Sequence, residues 1–146
     1  MIERIIFNVT GEPVGKGRPR FYRRGKGVGT YTPDKTIEYE ERIRQAFIRG
    51  VSTYGDKVPT FPEDAAVKMQ IMATFGIPKS ASKKKKAEMI AGFIRPTKKP
   101  DADNIAKIVA DALNGIAYKD DTQLVEIEVR KFYGEQPRIS VNLERI

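Results

Sequence analysis

Ile105, Ile108, Val109, Ala112 and Leu113 recur at i, i+3, i+4, i+7 and i+8, and Gly115 closes the run. That spacing describes a helix over about 104–114 with one apolar stripe, the best-patterned helix in the chain. A stripe of this kind must be buried against another element, and alternating segments elsewhere supply candidates. Ile5, Phe7 and Val9 read as a strand ending near Gly11, and Val67, Met69, Ile71, Ala73 and Phe75 as a second. Val125, Ile127 and Val129 alternate with Glu126, Glu128 and Arg130; after "GEQP", Ile139, Val141 and Leu143 alternate again. The last two segments read as an antiparallel hairpin. Another helix runs from Thr32 as N-cap, through Pro33 at the first helical position, to an exit at Gly50, with Tyr39, Ile43, Ala46 and Phe47 on one stripe. A shorter one is expected over Ser80–Ala91, where lysines at the start oppose the helix dipole unless an anion binds there. Residues 12–31, rich in Gly, Pro and Arg and without periodicity, read as a loop. The expectation is one α+β (mixed α/β) domain over residues 1–146, with about four strands and two or three helices, no repeats and no second domain.

A chain of 146 residues buries enough surface for a core without covalent staples. It has no cysteine, which excludes disulfides, thiolate metal sites and cysteine nucleophiles. It has no histidine, which excludes histidine general bases, Ser-His-Asp triads and His-ligated zinc. Metal chemistry here must use oxygen ligands, the preference of Mg²⁺ and Mn²⁺. No apolar run reaches the length of a membrane span, and "MIERIIFNVTGEP" is too short in apolar residues for a secretory signal. A cytoplasmic location with no membrane partner is expected. The 27 basic and 19 acidic residues leave a net charge of +8, which favours polyanionic partners, although a basic protein with no nucleic-acid role has the same composition.

Against that charge, "KKPDADNIAKIVADALNGIAYKDDTQ" holds five aspartates: Asp101, Asp103, Asp111, Asp120 and Asp121. Asp103, Lys107 and Asp111 follow at i, i+4 and i+8 on the polar side of the 104–114 helix. Asp101 precedes the helix, and Asp120 and Asp121 follow a short turn. Each has an ordinary alternative: Asp103 or Asn104 as a helix cap, Lys107 in a helix-face ion pair, "KDD" as a solvated turn. Together, aspartates gathered without a cation repel one another. Mg²⁺ relieves that with one or two carboxylates, waters and substrate phosphate oxygens.

Two basic stretches flank the aspartates. The span Lys16–Lys26 has six basic residues, Lys16, Arg18, Arg20, Arg23, Arg24 and Lys26, around Phe21 and Tyr22. Lys79, Lys83 to Lys86, Arg95, Lys98 and Lys99 form the other. Such runs suit phosphate contacts, and the aromatics suit stacking on an unstacked base. Solubilising loops with tucked aromatics are the alternative, as open as direct contact for the lysine run. "GEPVGKG" does not make a phosphate-binding loop of the ATPase type, being one residue short between its glycines and lacking Ser or Thr after Lys16.

"DADNIAKIVADALNGIAYKDD" resembles the signature of RusA-type Holliday junction resolvases: two aspartates flanking one residue, then Asn, a lysine four after the second aspartate, a D-A-L segment and an Asp-Asp pair. "GKGRPRFYRRGKGVGTYTP" is similar to the basic N-terminal segment of the family's phage-type members. The resemblance implies a RusA-like fold and a homodimeric, Mg²⁺-dependent endodeoxyribonuclease, often carried by phages and prophages, that cuts branched DNA. It implies Asp101, Asp103 and Asp121 as metal-site carboxylates, with Asp120 as the alternative to Asp121, Lys107 as the essential lysine, and a supporting role for Asp111. Lys16, Arg18, Arg20, Arg23, Arg24, Lys98 and Lys99 are the expected DNA contacts. The competing expectations are a branched-DNA-binding protein without chemistry and a metal-dependent phosphohydrolase of small nucleotides.

Overall fold

Strand β1 (Arg4–Thr10) buries Ile5, Phe7 and Val9 and exposes the residues between them. The same alternation runs through β4 (Val67–Gly76) and β6 (Arg138–Arg145), as a sheet covered on one face requires. The computed structural model describes residues 3–18, 20–31, 33–51 and 60–146. Between β1 and β4 come β2 (Arg20–Arg24), β3 (Gly27–Tyr31) and helix α1 (Asp34–Val51); between β4 and β6 come α2 (Lys83–Ile90), α3 (Ala102–Leu113) and β5 (Leu124–Gly134). The main sheet has the order β1-β6-β4-β5, with β4 parallel to β5 and antiparallel to β6. The result is a single small α+β domain.

Both long helices lie on one face. The α1 stripe (Tyr39, Ile43, Ala46, Phe47, Val51) and the α3 stripe (Ile105, Ile108, Val109, Ala112, Leu113) join the inward residues of β1, β4 and β6 in one cluster. The rings of Phe7 and Phe47 meet edge to face at 5.8 Å. Each such side chain contributes about 1.5–3 kcal/mol relative to exposure, which is how a cysteine-free chain holds together.

Four expectations need correction or restriction. First, β5 and β6 are not a hairpin, because β4 lies between them. Skipping one strand takes about 9.5 Å, and the four Cα steps from Gly134 to Arg138 reach roughly 13–14 Å. The short link therefore permits either pairing, and burial decides it. Val67, Met69, Ile71, Ala73 and Phe75 of β4 are all buried, whereas Val125 and Ile127 of β5 are 56% and 49% exposed. A strand flanked by glutamates and arginine takes the edge.

Second, residues 20–31 are not loop. β2 and β3 form a two-stranded antiparallel ribbon, with Arg20 opposite Tyr31 and Arg24 opposite Gly27. Neither of its faces is buried, so no burial pattern marks it in the sequence. Third, α1 begins one residue after Pro33, whose carbonyl accepts the Ile37 N–H, and runs through Gly50. A Cβ at position 50 would stand 3.3 Å from that of Phe7, so Gly50 lets the helix lie close to β1 instead of ending it. Thr32, the expected cap, lies outside the described residues. Fourth, α2 is shorter than expected, beginning after Ser82, whose hydroxyl accepts the Lys85 N–H.

Candidate functional site

Helix α3 carries the site. Its buried stripe fixes its rotation and leaves Asp103 and Lys107 exposed and Asp111 half-buried on the outer side. Asp101 occupies the N-cap position but makes no side-chain capping bond, so its carboxylate stays available. Eight residues of helix rise about 12 Å, which separates Asp103 from Asp111.

The chain then turns back. Gly115 (φ +78°) ends the helix in the left-handed region that favours glycine. Its N–H donates to the Tyr118 carbonyl, and the buried Tyr118 hydroxyl donates to the Ala110 carbonyl at 2.7 Å. Burial and the charges of Asp121, Asp111 and Asp120 push the Tyr118 phenol up. Next, Asp120 and Gln123 form a capping box around a short 3₁₀ turn (Asp121–Gln123): the Asp120 carboxylate accepts the Thr122 N–H, and the Gln123 side chain accepts the Asp120 N–H. Gln123 is anchored in turn by donating to the Pro62 and Ala65 carbonyls. Asp121 is set beside Asp120 and near Asp111. Its carboxyl is raised by partial burial first, then by a hydrogen bond with Asp120 and the charges of Asp120 and Asp111. "DDTQ" carries this capping signal in the sequence. It commits Asp120 to the turn and leaves Asp121 as the freer of the pair.

The structure therefore brings Asp111, Asp120 and Asp121 together, with Asp101 and Asp103 at the opposite end of α3. Among the described residues no three carboxylates stand close enough to hold a metal ion by themselves. The donor set is all oxygen, and Mg²⁺ uses only one or two protein carboxylates alongside waters and phosphate oxygens, so these residues fit such an ion.

Lys16, an expected DNA contact, has other partners. Its ammonium lies 2.7 Å from Glu40 on α1 and 3.2 Å from Asp111 on α3. Burial works against its charge, but the hydrogen bonds it donates to both carboxylates hold its pKa above the usual lysine value. The flanking backbone is laced to the same helices: the Lys16 N–H donates to the Asn104 carbonyl and the Gly17 N–H to the Thr36 hydroxyl. A Cβ at Gly15 would meet Pro100 at 2.8 Å, so that glycine permits close approach to the protein's own chain. Sequence reasoning missed Glu40, because one acid among several on a polar helix face carries no local signal.

The other expected contacts are placed differently. An open groove of about 920 Å³ is lined by Arg18, Arg20, Lys35, Lys98, Lys99 and Asp101. Among the described residues none of these five cations has a salt bridge. Lys98 lies near the rings of Phe75 and Tyr133, at 6.0 and 5.8 Å. Arg23 and Arg24 stand on the exposed ribbon with Phe21 (76% exposed) and Tyr22, whose ring is 6.3 Å from that of Tyr31.

Carboxylates spaced along one helix, beside a groove in which Arg18, Arg20, Lys35, Lys98 and Lys99 make no salt bridge among the described residues, describe a small α+β protein with oxygen donors next to a basic surface. The chain belongs to the RusA endodeoxyribonuclease family, whose pattern it matches over residues 10–144. It is also 39% identical over 144 residues to the uncharacterized protein YqaN of Bacillus subtilis (strain 168), covering 97% of this chain and 96% of that protein. Among the described residues no helix is long and apolar enough to cross a membrane.

Proposed function

We propose that this chain is a Mg²⁺-dependent endodeoxyribonuclease, with Mn²⁺ as a substitute, that resolves four-way and related branched DNA in recombination and repair. The observation that carries the reading is the family match over residues 10–144, because the matched region contains every aspartate of the cluster. When bound, Mg²⁺ polarises the scissile phosphate and makes its bound water acidic enough to attack near neutral pH. Asp101, Asp103 and Asp121 would hold that ion, with Asp120 orienting the turn that carries Asp121. Because Asp121 stands beside Asp111, at the other end of α3 from Asp101 and Asp103, the three converge on this reading only where two protomers meet. Lys107, one turn beyond Asp103 on the exposed side of α3, offsets the negative charge that builds on the phosphate. Arg18, Arg20, Lys98 and Lys99 in the groove and Arg23 and Arg24 on the ribbon grip the DNA backbone without reading bases.

Resolution needs paired cuts in opposed strands, for which a two-fold homodimer is the economical arrangement. The competing reading, a branched-DNA binder without chemistry, draws on the lack of three converging carboxylates among the described residues. Incubation of the protein with a synthetic four-way junction and a matched linear duplex, with and without Mg²⁺, separates the two. Symmetric nicks in the junction, only with the metal, are expected; junction binding with no cutting under any divalent ion leaves the binder.

A further inference from the structure

Helix α2 is built against the usual preferences at both ends. Lys83, Lys84, Lys85 and Lys86 fill its first turn, with no acidic residue among them, although cations are unfavourable at the positive end of a helix dipole. Among the described residues none of the four has a salt bridge. Four consecutive residues span about one full turn, so their ammonium groups fan around the helix and no single neighbouring surface neutralises them.

At the other end the chain leaves through Gly92, and the Phe93 N–H donates to the Glu88 carbonyl at 2.9 Å. In such a turn the residue after the glycine usually packs on the helical residue whose carbonyl it bonds. Here that residue is Glu88, and the ring is left 84% exposed, more than any other large hydrophobic side chain among the described residues. The backbone of Phe93 is held while its ring is presented to solvent.

A run of cations joins this turn to the groove. The Arg95 guanidinium lies 4.1 Å from the centre of the Phe132 ring, and its Nε donates to the Lys131 carbonyl at 2.8 Å. Lys131 Nζ donates to the Lys98 carbonyl at 2.7 Å, and Lys98 lines the groove with Asp101.

We infer that α2 and its C-terminal turn bind an unpaired DNA strand leaving the branch point, with Lys83 to Lys86 on phosphates and Phe93 stacked on a base. Lysines alone suit any polyanion; the free ring makes the distinction, because bases inside a duplex already have both faces stacked, whereas those of a single strand do not. The inference rests on the nuclease reading and extends its substrate class to branched DNA with single-stranded tails, such as flaps and forks.

The test is binding of the full-length protein without Mg²⁺, by fluorescence anisotropy across a salt series. The probes are a blunt four-way junction and the same junction carrying an added oligothymidine tail. The wild type is expected to bind the tailed form about fivefold tighter or more, and Phe93→Ala to lose about that factor. Replacing all four lysines by Gln is expected to flatten the salt slope for the tailed form by about 0.7 for each phosphate those lysines neutralise. Equal wild-type affinity for both probes, or unchanged tail preference in both variants, overturns the inference. So does a Phe93→Ala protein that changes its mass in solution and keeps its tail preference, since the ring then belongs to a protein interface. A wild type that binds neither probe fails the nuclease reading first, and this inference with it.

Discussion

Lys16 and Lys98 look equivalent in sequence, each a lysine in a basic stretch within two residues of a proline or glycine. Their surroundings make them different. Lys16 bridges Glu40 and Asp111, so Lys16→Met leaves two carboxylates facing each other and is expected to cost about 1 kcal/mol of stability. It should slow cutting while leaving the salt dependence of junction binding unchanged, whereas Lys98→Met should flatten that slope by about 0.9. Denaturant melts and a salt titration of both variants check this. The sign with pH follows from the raised pKa: Lys16 contributes stability at pH values below its ordinary 10.5 and gives it up as pH rises through the folded-state value. Lys16→Met should therefore remove part of the protein's loss of stability in strong alkali. Asp103, exposed and without a structural partner among the described residues, is the cleaner probe of chemistry. Asp103→Asn is expected to keep the fold and junction affinity and to lose Mg²⁺-dependent cutting, read by anisotropy and nicking on the same junction.

Among the elements, α3 and the turn after it behave as one unit. The left-handed Gly115, the Tyr118 anchor on Ala110 and the Asp120–Gln123 capping box together return Asp121 to the side of Asp111. Gly115→Ala places a Cβ in a backbone conformation that penalises it by about 1 kcal/mol or more. It is expected to lower the melting temperature and to reduce cutting more than DNA binding, because the groove lies at the other end of the helix. α3 was legible in the sequence because its periodicity is local and dense. The β2–β3 ribbon was not, since a ribbon with both faces in solvent needs no alternation of apolar and polar residues. α2 was legible as a helix despite its lysine-rich start, and the structure adds the Ser82 cap that lets it begin there.

For the whole molecule, the sheet has its two long helices on one face and an edge strand, β5, on which Val125 and Ile127 stand open. The surface is dominated by a net charge of +8, so junction affinity is expected to fall steeply and log-linearly with salt. A small-nucleotide phosphohydrolase would be indifferent to such salt, and a comparison of junction cutting with nucleotide hydrolysis across a salt series tells the two apart.

What the sequence determined by itself had a short range: the buried stripes of α1 and α3, the alternation in β1, β4 and β6, the exclusion of thiol and imidazole chemistry, and the aspartate spacing along α3. Strand order, the partner of Lys16 and the meeting of Asp111 with Asp121 were decided only by the tertiary structure. Periodicity tells a residue which way to face, but distant segments find one another through burial and charge summed over the whole chain. A four-step link that reaches either neighbouring strand, or a lysine with several carboxylates to choose from, holds no local record of the outcome.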